Sequence, residues 1–291
     1  MSSVNMDQME DLPRGILKAI QVGKKNSKKI WFEPVSYFLK KKFREMQYLS
    51  EDELFLSLCK KKKHDPSHPL EFYVNELKEN QELSDLYFRV VDQGKMPRKY
   101  QNHDERVEAV RVNVVLFYAL IREFKPEVLI ETGTAHGSMT SWIVTALYKN
   151  QKGMLHSIDL PPVDGELTMG MTVLPEDVGM LIPAVYRNHW TLHPGDAKVL
   201  LPRLMSEFSV DYFFHDSLHT RTHMLFEYNV ARCLMQPGAF IVSDDILWNS
   251  SFFDFIRSHR LQGFGAFSNP NVGITLNEFD QYELGIGTYI R

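Results

Sequence analysis

The sequence predicts an α/β fold: a mostly parallel sheet with helices on both faces, of the Rossmann-like kind. Three observations carry that expectation. From about residue 127 onward, short apolar runs alternate with amphipathic stretches, the pattern of strands buried between two helical layers. Those runs finish on acids, namely Glu131, Asp159, Asp216 and the pair Asp244-Asp245, with Asp196 just past another. Residues 128–138, Val-Leu-Ile-Glu-Thr-Gly-Thr-Ala-His-Gly-Ser, end an apolar strand in a glycine turn that opens a helix, so bare backbone N–H groups can approach a ligand.

The elements follow in chain order. Residues 1–100 read as a helical N-terminal extension, distinct from a domain at 101–291. Its apolar members are Trp31, Phe32, Val35, Tyr37, Phe38, Leu39 and Phe43, then Leu54, Phe55 and Leu58, then Leu70, Phe72, Tyr73 and Leu77. The HDPSHP stretch at 64–69 breaks the pattern. A helix over 104–123 presents Val107, Val110, Val114, Leu116, Phe117, Leu120 and Ile121 on one face, and Lys125-Pro126 stops it. Strands are expected at 128–130, 154–158, 190–193, 212–214 and 240–242, and helices at 138–148, 197–208 and 220–235. The tail should close the sheet with an antiparallel hairpin of 272–276 and 282–290. The long connection 161–188 reads as a lid over the site, with an extension packed on the N-terminal helices as the alternative.

Composition narrows the class. The chain has 291 residues, 44% of them hydrophobic and 24% charged, enough for one full core and an appendage. It shows neither an apolar leader segment nor a run long enough to span a membrane. Two cysteines, Cys59 and Cys233, lack metal-type spacing, which suits a reducing cytoplasm. Residues 1–64 hold 14 Lys and Arg against 8 Asp and Glu, although the whole chain is at −4. That basic region lacks the aromatic interleaving of a nucleic-acid surface, so nucleic acid is not an expected partner. It reads as a solvated helical face, and the N-terminal helices are also a candidate homo-oligomer contact.

The glycine loop identifies a cofactor. A dinucleotide fingerprint is G-x-G-x-x-G with its acid about 20 residues later. Here Glu131 sits two residues before Gly133, and the next glycine is Gly137. A carboxylate there would repel a pyrophosphate but attract the cationic methionine end of S-adenosylmethionine (SAM).

Taken in order, ETGTAHGS, LHSIDLP (155–161), HPGDA (193–197), VDYFFHDSLHT (210–220), MLFEYNVA (224–231) and QPGAFIVSDDILWN (236–249) resemble the class I SAM-dependent methyltransferases. Within that family the chain is similar to a bacterial branch of sugar and natural-product O-methyltransferases, over roughly residues 105–255. Ala135 departs from the third glycine of many relatives. The resemblance implies that Glu131, Gly133, Thr134, Ala135, His136 and Gly137 hold the methionine end, with Ser138 at the helix start. It implies that Asp159 accepts from both ribose hydroxyls and that Asp196, with Ala197 beside it, faces the adenine amino group. Asp216 belongs to the same cradle. For each acid taken alone, the alternative is an N-cap on the following helix.

Asp216, Asp244 and Asp245 form a second constellation. Oxygen-only ligands select Mg²⁺ or a similar hard ion, and some related sugar O-methyltransferases hold a metal at these positions. The alternative is two helix caps and a packed loop acid. His219, three residues past Asp216, is the candidate general base. His215, on a buried strand, and His223 are structural competitors, and Trp248 with Asn249 are candidates for the acceptor pocket. The expected activity is SAM-dependent O-methylation of a small molecule or sugar, Mg²⁺-assisted. The rivals are an N-methyltransferase or hydroxylase-associated homologue, and a non-catalytic SAM-binding scaffold.

Overall fold

The computed structural model describes residues 47–95, 102–109, 115–160, 166–168, 171–246, 249–266 and 286–291. The apolar stretch at 31–43, the strand expected at 272–276 and Trp248 lie outside them. The described elements are β1 (Gln47–Leu49), α1 (Glu51–Lys61), α2 (Leu70–Lys78), α3 (Gln81–Asp92), α4 (His103–Ala109), α5 (Leu116–Phe124), β2 (Val128–Thr132), α6 (Ser138–Asn150) and β3 (Met154–Asp159). There follow the small pair β4 (Glu166–Thr168) and β5 (Met171–Val173), then β6 (Trp190–Pro194), α7 (Ala197–Glu207), β7 (Tyr212–His215), α8 (Arg221–Leu234), β8 (Phe240–Ser243), α9 (Ser251–Ser258), β9 (Phe264–Ala266) and β10 (Ile286–Ile290). Among the described residues no helix is long and apolar enough to cross a membrane.

The main sheet runs β1-β9-β10-β8-β7-β2-β3-β6. The five strands from β8 to β6 are parallel, and β10 is antiparallel to both β8 and β9. β10 therefore supplies the antiparallel closure, partnered by β9. The strand alternation sorts side chains to two cores. Leu129, Leu155, Tyr212, Phe214, Phe240 and Val242 face one, against α1, α2, α5 and α6. Ile130, Ile158, Phe213 and Ile241 face the other, against α7, α8 and α9. Both faces are thus dry, which is why these strands read as continuous apolar runs.

The residues ahead of the glycine loop are built into this fold. β1 pairs parallel with β9 at the sheet edge, and α1 and α2 bury Leu54, Phe55, Leu58, Tyr73, Val74 and Leu77 in the first core. α1 starts on a capping box, in which the Glu53 N–H donates to Ser50 Oγ while Ser50 N–H donates to the Glu53 carboxylate. A polar bolt adds to the apolar contact. The buried Glu123 carboxylate at the end of α5 accepts from the Ser67 and His68 N–H groups and the Tyr73 hydroxyl, and pairs with His64 Nε2 at 2.8 Å. Burial alone would raise the Glu123 pKa, but the bonds from His64, Ser67 and Tyr73 outweigh it and hold it at about 2.

The long connection is resolved in favour of packing for its second half. Val178, Leu181, Ile182 and Tyr186 are buried. The Tyr186 hydroxyl meets the side chain of Asn80, the residue that caps α3, and Lys95 pairs with Asp177 at 2.6 Å. Residues 174–189 are therefore a strap fastened to the N-terminal helices.

Candidate functional site

β2 ends in a turn that glycine alone permits. Gly133 has φ +85°, and a Cβ there would lie 2.6 Å from the Asp216 carbonyl carbon and 2.8 Å from Ser217 Cα. The ends of β2 and β7 approach that closely. Gly137 has φ +81° and packs on the strap at Gly179, whose N–H donates to the Ala135 carbonyl at 2.9 Å. Leu181 N–H likewise donates to the His136 carbonyl. Ala135 adopts φ +45°, so a small residue takes this left-handed position of the turn. Gly137 is the N-cap of α6, and no side chain caps that helix. Its first N–H groups lie at the loop mouth, where an anionic group is favoured.

Asp159, at the end of β3, holds this loop. Its Oδ2 accepts from Thr134 N–H at 2.6 Å and Ala135 N–H at 2.8 Å. Glu131 is fully buried, and its Oε2 accepts from Thr140 Oγ1 and Ser157 Oγ. Ser157 in turn accepts from Trp190 Nε1. Burial, helped by nearby Asp159 and opposed by the two hydroxyls, pushes the Glu131 carboxyl up to about 7. Glu131 Oε1 is buried with no hydrogen-bond donor among the described residues. An unpartnered carboxylate oxygen beside a glycine loop suits a cationic amino group, so the residues present fit SAM. Asp196 caps α7 by accepting from Lys198 N–H, and its carboxylate is exposed next to buried Ala197.

The neighbouring strand ends carry the second constellation. Asp216, Asp244 and Asp245 all have raised pKa values. Burial is the first cause for each, and neighbouring acids add to it at Asp216 and Asp245; Asp244 stands at about 6. Among the described residues no group of three His, Cys, Asp or Glu side chains is disposed to hold a metal ion. Asp245 has a left-handed backbone, φ +52°, and the His219 imidazole lies beside it. His219 Nε2 lies 3.6 Å from Asp245 Oδ2 and 3.9 Å from Asp216 Oδ1. Burial, with His215 adding, holds the His219 pKa down at about 3, so the ring is neutral at ordinary pH.

Asn249 supports this loop, its Nδ2 donating to the His219 carbonyl at 3.0 Å. His215 and His223 do not face the crevice as bases; both hydrogen-bond the buried Glu227. Glu227, Ser157 and Trp190 had no role in the sequence reading. Two signals could have found them: the i,i+4 pair His223/Glu227 on one helix face, and Ser157 standing opposite Glu131 in the sheet register.

Residues 130–246 match a family model described as a methyltransferase domain. No curated protein matches the chain. Among solved structures, one similar to this chain is the O-methyltransferase TomG from Streptomyces achromogenes, involved in tomaymycin synthesis and solved with SAM. It is 17% identical, with 74% of this chain and 91% of that one covered and a TM-score of 0.49. Another is the Bacillus cereus O-methyltransferase solved with S-adenosylhomocysteine, at 10% identity, 73% and 92% coverage and a TM-score of 0.47. The match over 130–246 spans the acid-glycine loop of β2 and the parallel strands β3, β6, β7 and β8 around it, so this stretch of the chain is similar to a methyltransferase domain.

Proposed function

We propose that this protein transfers the methyl group of SAM to a hydroxyl of a small-molecule or sugar acceptor, with residues 101–291 as the catalytic domain. The observation that carries this reading is the contact of Gly133 with the Asp216–Ser217 backbone. That approach brings the glycine loop beside the segment bearing His219, which supports a reading in which cofactor and base share one wall of one crevice.

When bound, SAM supplies an electrophilic methyl group. Glu131 and the loop from Gly133 to Ser138 would hold its methionine end. Asp159 would take the ribose hydroxyls and Asp196 with Ala197 the adenine side. His219, neutral through burial, accepts the acceptor's hydroxyl proton at Nε2. Asp245 and Asp216 stand close enough to that atom to stabilise the imidazolium once formed. No step is assigned to Mg²⁺.

His219→Ala tests the assignment. SAM affinity by calorimetry should stay within about twofold, while turnover with an acceptor found by screening falls about 100-fold or more. Equal turnover in the variant and the wild type would remove His219 from the mechanism. A wild-type protein that binds no SAM would remove the whole reading.

A further inference from the structure

We infer that Glu227 is the positioning residue of the site: its buried carboxylate ties the end of β2, the end of β7 and the loop after it to α8, and so sets Asp216 and His219 against the cofactor loop. The inference rests on the methyl-transfer reading above and deepens it.

Glu227 is fully buried on α8, eleven residues after Asp216 and eight after His219 in the chain. An ionised carboxylate in such a place is very costly unless its lone pairs are filled. Four donors do so. Oε2 accepts from Thr132 Oγ1 at 2.7 Å and pairs with His215 Nδ1 at 2.6 Å. Oε1 accepts from Ser217 Oγ at 3.0 Å and pairs with His223 Nε2 at 2.8 Å. These bonds outweigh burial and hold the Glu227 pKa well below the carboxylate range.

The placement of the donors is what gives the carboxylate its role. Thr132 is the last residue of β2, immediately before Gly133. His215 is the last of β7, immediately before Asp216, and its ring meets the His219 ring edge-on at 5.2 Å. Ser217 lies between Asp216 and His219. A single carboxylate therefore holds the residues flanking Gly133 and Asp216, the two points whose close approach forms the crevice wall. If Glu227 only stabilised α8, its His223 bond would suffice. Three of its four partners belong instead to the strand ends and loop that carry the chemistry. Misplacing a catalytic group by about 1 Å costs roughly 100-fold in rate, so this tether is expected to show in turnover.

Two variants test the idea. Glu227→Gln keeps the shape but offers an amide to donors that need an acceptor. Ser217→Ala removes only the bond to the loop and leaves the buried carboxylate with three partners, which protects the test if the first variant does not fold. The expected results for a folded variant are SAM affinity within about threefold of wild type, kcat for a screened acceptor lowered about tenfold or more, and KM for SAM little changed. Carbethoxylation of His219 by diethyl pyrocarbonate, followed by peptide mass spectrometry, should quicken severalfold in Ser217→Ala, and it needs no acceptor. Variants that melt lower yet keep wild-type kcat and an unchanged His219 modification rate would overturn the proposal and leave Glu227 a stability residue. Failure of the wild type to bind or consume SAM would instead overturn the methyl-transfer reading, and His219 reactivity would still report on the tether.

Discussion

Gly133→Ala is the sharpest test of the crevice wall, because two separate costs can be worked out for it. At φ +85° an alanine is strained by about 1–2 kcal/mol. Its Cβ would also enter the van der Waals shell of the Asp216–Ser217 backbone, which cannot swing aside as a flexible side chain would. Forced overpacking typically costs about 1–3 kcal/mol more. The total expected is about 2–5 kcal/mol. Gly94→Ala separates the terms, since Gly94 has φ +70° but nothing within 4 Å of a Cβ. It should cost the conformational part alone, about 1–2 kcal/mol. Urea unfolding of both variants at neutral pH gives the difference. Calorimetric titration with SAM should show Gly133→Ala weakened about tenfold or more, each tenfold being about 1.4 kcal/mol, and Gly94→Ala unchanged. A Gly133→Ala protein as stable as Gly94→Ala, with wild-type SAM affinity, would refute the packing of the cofactor loop on the Asp216 segment.

Two further outcomes follow from the hydrogen bonds. The folded-state pKa of Glu123, about 2, lies below its unfolded value, so its contribution is present above about pH 4.5 and is lost as pH falls toward 2. It amounts to about 3 kcal/mol at neutral pH. Glu123→Gln should therefore lower the melting temperature at pH 7 and flatten the acid limb of stability against pH, and parallel acid limbs in wild type and variant would contradict the bolt. Asp159→Ala removes the acceptor of the Thr134 and Ala135 N–H groups and should weaken SAM binding by about 10–100-fold, at about 1.5–3 kcal/mol for hydrogen bonds to a charged group; unaltered calorimetric affinity would exclude it from the cofactor site.

Much of the sheet was legible because each strand is short, apolar and closed by a polar residue. The five parallel strands lie where the runs at 128, 154, 190, 212 and 240 begin. Boundaries moved by a residue or two, as at α6, which continues to Asn150. The glycine loop was legible too, since Gly133 and Gly137 stand at left-handed φ values that favour glycine. The strap was ambiguous: Val178, Leu181, Ile182 and Tyr186 fall at i, i+3, i+4 and i+8, a helical spacing, yet the segment forms only short 3₁₀ turns at 175–177 and 184–189, and their partners show that they are core.

By itself the sequence determined the strand–helix alternation, the glycine turn and the row of acids at the strand ends, all of which are local properties of composition and spacing. Only the tertiary structure decided that β1 joins the far edge of the sheet, that Glu123 bolts the N-terminal helices down, and that Glu227 gathers Thr132, His215, Ser217 and His223. Those pairings join residues far apart in the chain, such as Thr132 with Glu227 and Gln47 with Phe264. A buried carboxylate must find its donors wherever the fold brings them, and no local pattern records which ones they will be.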